Sequence, residues 1–170
     1  MNIDHTIRYV YVWFVRTFFY FFPDVPIMMK LRGWFYSFAL KKCGRNFQIT
    51  NNVMINNPEK VSIGDNVYIS YNSLILANGN VEIGNDVLVG PNVVIVGDNH
   101  SNDGGSYRFG KLLPGDITVG NCVWIGANCT IVPNSMIPDG SVLGANSILN
   151  KKFDTCGLYA GSPAKLIKKK

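Results

Sequence analysis

At 170 residues, 47% of them apolar and only 16% charged, the chain holds enough sequence for one domain with a real core. Its net charge of +5 is divided: residues 1–45 carry seven Lys and Arg against Asp4 and Asp24, residues 46–150 carry three against eight acidic groups, and residues 151–170 carry six Lys against Asp154. An acidic body between two basic ends points to two separate anionic partners, and no basic stripe interleaved with aromatics is present to suggest nucleic acid.

Residues 1–45 contain two apolar runs, YVYVWFVRTFFYFF (9–22) and IMMKLRGWFYSFALKK (27–42), parted by Pro23-Asp24-Val25-Pro26. Each predicts a short helix. The first run has fourteen residues where a bilayer crossing needs about 20. Arg16 interrupts it and no small-residue cleavage site follows, which argues against a secretory signal. Two placements fit this segment. In one it packs across the base of the region that follows. In the other it lies at a membrane interface, with Trp13, Phe14, Phe18 and Phe19 among lipids and Arg8, Arg16, Lys30 and Arg32 near anionic headgroups.

Residues 46–150 repeat with a period of six. From Ile63 the chain reads IGDNVY, ISYNSL, IGNDVL, VGPNVV and, after a break, VGNCVW, IGANCT, IVPNSM, IPDGSV and LGANSI. The first position is always Ile, Val or Leu; the fifth is always small or β-branched. No helix has this period, and a plain strand alternates by two. The pattern predicts an all-β solenoid of short flat strands, one inward aliphatic per repeat, with Gly and Asn supplying the backbone angles of tight corners. The first coil, Phe47 to Lys60, is irregular, and the frame slips by two at Asn78-Gly79-Asn80. It is lost from about 98 to 116, where GDNHSNDGGSYRFGKLLPGD has the length and composition of a functional loop. Residues 151–170 add a linker and a basic tail ending in YAGSPAKLIKKK. The four cysteines, Cys43, Cys122, Cys129 and Cys156, lack CxxC spacing and predict reduced thiols in a cytoplasmic setting, with Cys129 as a small core residue.

The repeats, VWIGANCTIVPNSMIPDGSVLGANSIL and the final AGSPAKLIKK resemble the hexapeptide-repeat acyltransferases over residues 45–168. That resemblance implies a left-handed parallel β-helix, here preceded by a short N-terminal helical segment. Within the family the chain is most similar to the galactoside and maltose O-acetyltransferases. The aromatic segment leading into LRGWFYSFALKKCGRNFQI is similar to acetyltransferases of bacterial surface polysaccharides of the colanic-acid type. The resemblance further implies a homotrimer with sites in the grooves between subunits, acetyl-CoA as co-substrate and no metal.

Of the two histidines, His5 and His100, only His100 opens the polar loop that breaks the solenoid. A sugar hydroxyl needs a base that is unprotonated near neutral pH, and imidazole meets that need. By resemblance, His100 takes the hydroxyl proton during direct attack on the thioester and returns it to the leaving thiolate. Asp98, Asp103 or a loop carbonyl orients it. The resemblance assigns Ala127 a backbone N–H that meets the developing oxyanion, Trp124 a place beside the pantetheine arm, and Ala145 a backbone contact to the pantetheine amides. Ala145 lies 18 residues past Ala127, three hexads, so the two should stack on one face. Lys151, Lys165 and Lys168 match positions that meet CoA phosphates. For the acceptor, Ser70 stands where the galactoside enzymes use Asn; Asn72, Asn78, Tyr107 and Arg108 are further candidates to line a sugar site. The reading is sugar O-acetylation on a surface polysaccharide or its precursor; N-acetylation of an amino sugar or its nucleotide conjugate, and xenobiotic acetylation, are the alternatives. Metal chemistry on this fold needs three imidazoles, and the chain has two.

Overall fold

The computed structural model describes residues 3–170. Two helices come first, α1 (Ile3–Phe19) and α2 (Pro26–Ser37), with Pro26 in the first turn of α2 and extended Val25 before it. The remainder is a left-handed parallel β-helix of triangular section. Its first face stacks Lys42–Cys43, Val61–Ile63, Val81–Ile83, Ile117–Val119 and Met136–Ile137. The second stacks Gln48–Ile49, Tyr68–Ile69, Leu88–Val89, Trp124–Ile125, Val142–Leu143 and Gly157–Ala160, and the third Met54–Asn56, Leu74–Leu76, Val94–Val96, Thr130–Ile131 and Ile148–Leu149. We call the edges between faces one and two, two and three, and three and one the first, second and third corners.

The period of six arises because each hexad is one flat strand plus one corner. Two residues per hexad point inward: the expected leading aliphatic, as at Ile63, Ile69 and Ile125, and the small fifth residue, at Cys129 as expected and also at Val67 and Ser147, all buried. Each buried aliphatic stabilises the prism by about 1.5–3 kcal/mol. Corner serines are satisfied there: Ser73 and Ser135 donate to the Gly90 and Leu149 carbonyls, and Ser141 and Ser147 accept from the Gly157 and Gly161 N–H groups. The corner glycines have a different reason from the expected one. Left-handed angles fall on the residue two places later, such as Asn66, Asp86, Asn128 and Asn146. The glycines are needed because turns stack closely: a Cβ on Gly126 would sit 2.6 Å from the Ala145 nitrogen.

The stretch from Phe47 to Lys60, expected to be irregular, is already a full turn in register, Gln48 opposite Tyr68 and Met54 opposite Leu74. The slip at Asn78 is one of a column. Partners on successive turns lie 20 residues apart early in the chain and 18 apart later. The surplus sits at the third corner: the 3-10 turn Pro58–Lys60, then Asn78-Gly79-Asn80, then the long loop in the turn above.

A solenoid end leaves strand carbonyls unpaired. The helices cover that end. Arg32, 1% exposed, donates to the Ile49, Phe19 and Phe22 carbonyls and to Asp24, and the Tyr36 hydroxyl donates to Val53 O. Packing across the base, one of the two placements expected for residues 1–45, is therefore realised. Arg32 and buried Phe19 are structural and unavailable to lipid, and Arg8 is held by Asp4 and the Ala39 carbonyl. At the other end the basic segment is a strand: Lys165–Lys169 pairs antiparallel with Gly157–Ala160 and extends the second face.

Candidate active site

The loop at the third corner leaves the prism as a two-stranded ribbon, Asp98–His100 against Leu112–Pro114, with His100 opposite Leu112. Ser101 secures its neck: its N–H donates to the Lys111 carbonyl and its hydroxyl accepts the Lys111 N–H at 2.8 Å. The ribbon holds His100 half-exposed, its Nε2 4.0 Å from Asp98 Oδ2. Asp98 is buried and its other oxygen accepts from Asn78 Nδ2 at 2.9 Å; Asn78 in turn accepts from Asn57 Nδ2 at 2.8 Å. Of the three orienting groups considered for His100, Asp98 is the carboxylate within ion-pair range. Asp103 instead accepts from the Lys111 N–H.

Asn57 and Asn78 of this column line a cavity of about 340 Å³ together with His5, Thr6, Tyr9, Asn56 and Leu76. His5 comes from α1 and shares a 2.8 Å contact with Glu59, the middle residue of the 3-10 turn at the same corner. Sequence reasoning passed over His5, Thr6, Tyr9 and Asn56, because helix docking across some fifty residues leaves no local pattern. The only hint was that Asn78 and His100 both fall where the hexads break.

Trp124, Ala127 and Ala145 lie elsewhere on the prism. Trp124 projects from the second face into solvent, with Leu88 and Val142 as its neighbours on adjacent strands. Ala127 and Ala145 stack at the second corner as the 18-residue spacing required. Among the described residues no acceptor takes the N–H of either. These are unspent donors on one edge, close to an exposed indole. Lys168 stands opposite Leu158 on the same second face, so the strand order runs from Trp124 through Val142 and Leu158 to Lys168, with Lys165 at the near end of that last strand. At about 4.8 Å per strand this places the lysine strand roughly 14 Å from the indole strand. Lys151 is exposed with its ammonium over the Phe153 ring.

The proposed acceptor set divides. Ser70 is buried at the end of its strand, and Asn72 accepts from Asn52 in the second-corner asparagine ladder, so both belong to the corner of Ala127 and not to that of His100. Asn78 alone joins His100. Tyr107 and Arg108 sit at the exposed loop tip, Arg108 over the Phe109 ring, and neither lines the cavity. Cys129 is buried, its thiol raised above the ordinary range by desolvation, and the four cysteines are free thiols.

The sequence matches no protein-family model and no curated protein. The fold does have solved counterparts. A galactoside acetyltransferase in complex with coenzyme A superposes with a TM-score of 0.86 at 27% identity, covering 99% of this chain and 84% of that one. A maltose O-acetyltransferase from Clostridium difficile 630 gives 0.84 at 24%, covering 99% and 89%, and a hexapeptide-repeat containing acetyltransferase from Vibrio cholerae gives 0.85 at 22%, covering 99% and 93%. The resemblance carried by the hexads is thus matched in three dimensions over nearly the whole chain.

Proposed function

We propose that this hexapeptide-repeat protein is an acetyl-CoA-dependent O-acetyltransferase acting on a sugar hydroxyl of a surface polysaccharide or its precursor, and that it works as a cytoplasmic homotrimer. One observation carries the reading. A polarised imidazole stands at the third corner, and two free backbone donors beside an exposed indole stand at the second, so one face of the same prism separates them. Two chains laid side by side bring the base of one to the donors of the other. The likeness to a galactoside acetyltransferase in complex with coenzyme A supports acetyl transfer from that carrier.

Bound acetyl-CoA supplies an acetyl group activated as a thioester. The free N–H of Ala145 suits an amide of its arm, Trp124 gives that arm an apolar wall, and Lys165, Lys168 and Lys151 offer cations toward its phosphates. His100 accepts the acceptor hydroxyl proton; Asp98, held by Asn78, stabilises the imidazolium that results. The Ala127 N–H donates to the negative charge that grows on the acyl oxygen. His100 then returns its proton to the departing sulfur. The cavity along Asn57 and Asn78 combines amides with the Tyr9 ring and suits a pyranose, with Asn72 of the neighbouring chain closing it.

The test is acetyl-CoA consumption against sugars, amino sugars, nucleotide sugars and polysaccharide repeat units, followed by product mass and linkage. An alkali-labile ester on a hydroxyl is expected. An alkali-stable amide on an amino sugar would replace O-acetylation with N-acetylation, and no turnover with any acceptor would overturn the reading.

A further inference from the structure

The helices that cover the solenoid base turn a second apolar face outward. On α1 the buried residues Val12, Val15 and Phe19 face the body, while Ile7, Val10, Phe14 and Phe18 run along the opposite side, each more than half exposed, and Phe21 in the turn after the helix is exposed as well. On α2, Ile27, Leu31, Trp34 and Phe38 form a matching exposed stripe at helical spacing. The two stripes are linked beneath the surface through buried Phe19 and partly buried Phe35. Rings follow one another from Phe14 through Phe18, Phe19 and Phe35 to Trp34 and Phe38, with successive centroids 4.8–6.4 Å apart. A helix that is apolar on both sides is covered on both. The body covers one.

We infer that this outer aromatic face docks on an anionic lipid bilayer, with α1 and α2 lying in the plane of the interface. Three observations select lipid over a second copy of the chain. Lys30 sits within the α2 stripe, between Ile27 and Trp34, where a dry protein interface disfavours a cation and a headgroup layer welcomes one. Lys30 also lines an open cavity of about 350 Å³ beside Trp34, a place for a lipid phosphate, with Arg45 at its rim paired to Asp65 at 3.0 Å. And charge divides along the molecule: residues 1–45 sum to +5, residues 46–150 to −5 and residues 151–170, at the far end, to +5. An anionic surface therefore repels the body and attracts an end, and the helical end joins its charge to the aromatic face. Neither helix crosses: among the described residues none is long and apolar enough to span a membrane. The exposed stripe of α1, about 17 Å from Ile7 to Phe18, fits a helix lying flat. The cavity at Asn78 receives His5 and Tyr9 from this same α1, so a lipid-linked acceptor would meet the site from the membrane side. That last link rests on the function proposed above; the docking does not.

The full chain is floated with phosphatidylcholine vesicles, with and without phosphatidylglycerol. Binding is expected on the phosphatidylglycerol vesicles and is expected to fall as salt rises. The joint variant Phe14→Ser, Phe18→Ser, Trp34→Ser and Phe38→Ser should abolish co-flotation and leave the sedimentation mass unchanged. Lys30→Gln, a surface change that spares the fold, should weaken binding about fivefold. No flotation of the wild type, or flotation indifferent to lipid charge, overturns the inference. So does a joint variant whose oligomer dissociates, which would make the face a contact between copies. Because flotation needs no turnover, a failed transfer assay and a failed docking are told apart.

Discussion

The first and second corners are built from the same backbone, yet one is saturated and the other is open. At the first corner Arg45 starts a column in which Asp65, Asn85, Asn121 and Asp139 are the acceptors, each taking the N–H of the residue one turn below at 2.7–2.8 Å. At the second corner the same positions are Asn51, Tyr71, Pro91, Ala127 and Ala145, which offer no side-chain acceptor upward. The first three lie below the break and the last two above it. A saturated corner adds stability and recognises nothing. An open one gives up that hydrogen bond: the Asn51 N–H turns to Asp24 and Pro91 has no N–H, while Ala127 and Ala145 keep a free donor for a substrate. The contrast lies in one residue per turn, the one after the corner glycine.

The largest effect should come from the base on the third corner. His100→Ala is expected to lower transfer by about 10²–10⁴-fold while leaving acetyl-CoA affinity and melting temperature nearly unchanged. Near wild-type turnover would remove the mechanism. Because His100 and Ala127 occupy different corners, mixed oligomers of His100→Ala chains and chains disabled at the second corner should recover activity that neither has alone. Oligomers that stay dead on mixing would show that one chain supplies the whole site.

Next in size is a transplant of one corner onto the other. Ala145→Asn places at the second corner the acceptor that Asn121 supplies at the first, where it takes the Asn85 N–H at 2.8 Å. The new side chain should capture the Ala127 N–H. Turnover is expected to fall about 10²–10³-fold, the loss seen when one oxyanion donor is removed. Stability should hold or rise, by about 0.5–1.5 kcal/mol for the added hydrogen bond. Unchanged turnover in a folded Ala145→Asn protein would mean that Ala127 donates to nothing in the reaction.

Charge reversal on the last strand tests how far along the second face the open region reaches. Lys165→Glu with Lys168→Glu should raise the acetyl-CoA Michaelis constant more than it lowers turnover, because a phosphate contact far from the thioester is equal in ground and transition states. The defect should shrink with dephospho-CoA derivatives. An equal defect with both donors would assign these lysines to solvent.

Much of this architecture was legible in the hexads because strand, corner and inward residue are all set within six positions. The stacking of Ala127 on Ala145 followed from spacing alone. What the sequence did not carry was any relation between corners: Ser70 and Asn72 look as close to His100 as Asn78 does until the turns are wound, and then they stand on another edge. His5 reaches the Asn78 cavity only because α1 docks against the 3-10 turn at Glu59. The surface exposure of Phe14 and the burial of Phe19 could not be told apart from composition, since both lie in one apolar run.

The smallest expected effect concerns the ionisable members of the first corner. The backbone N–H and guanidinium of Arg45 hold the Asp65 carboxyl below the usual carboxylate range, and the side-chain amide and backbone N–H of Asn121 do the same for Asp139. A carboxyl whose pKa is lowered on folding binds its proton more readily in the unfolded chain. The stability it lends is therefore complete above the unfolded value of about 3.9 and is lost as pH falls through the lower folded value. The second-corner column has no carboxylate and should lend none of this dependence. Asp139→Asn keeps an acceptor for the Asn121 N–H, as Asn121 itself serves Asn85, but removes the titration. Its melting temperature is expected to fall less steeply than that of the wild type below about pH 4, while the two proteins agree closely in the steepness of their curves above about pH 5. Both groups are solvent-facing, so the difference should be small and should shrink in added salt. An Asp139→Asn protein as acid-sensitive as the wild type would mean that the first corner is held by its amide and backbone contacts alone.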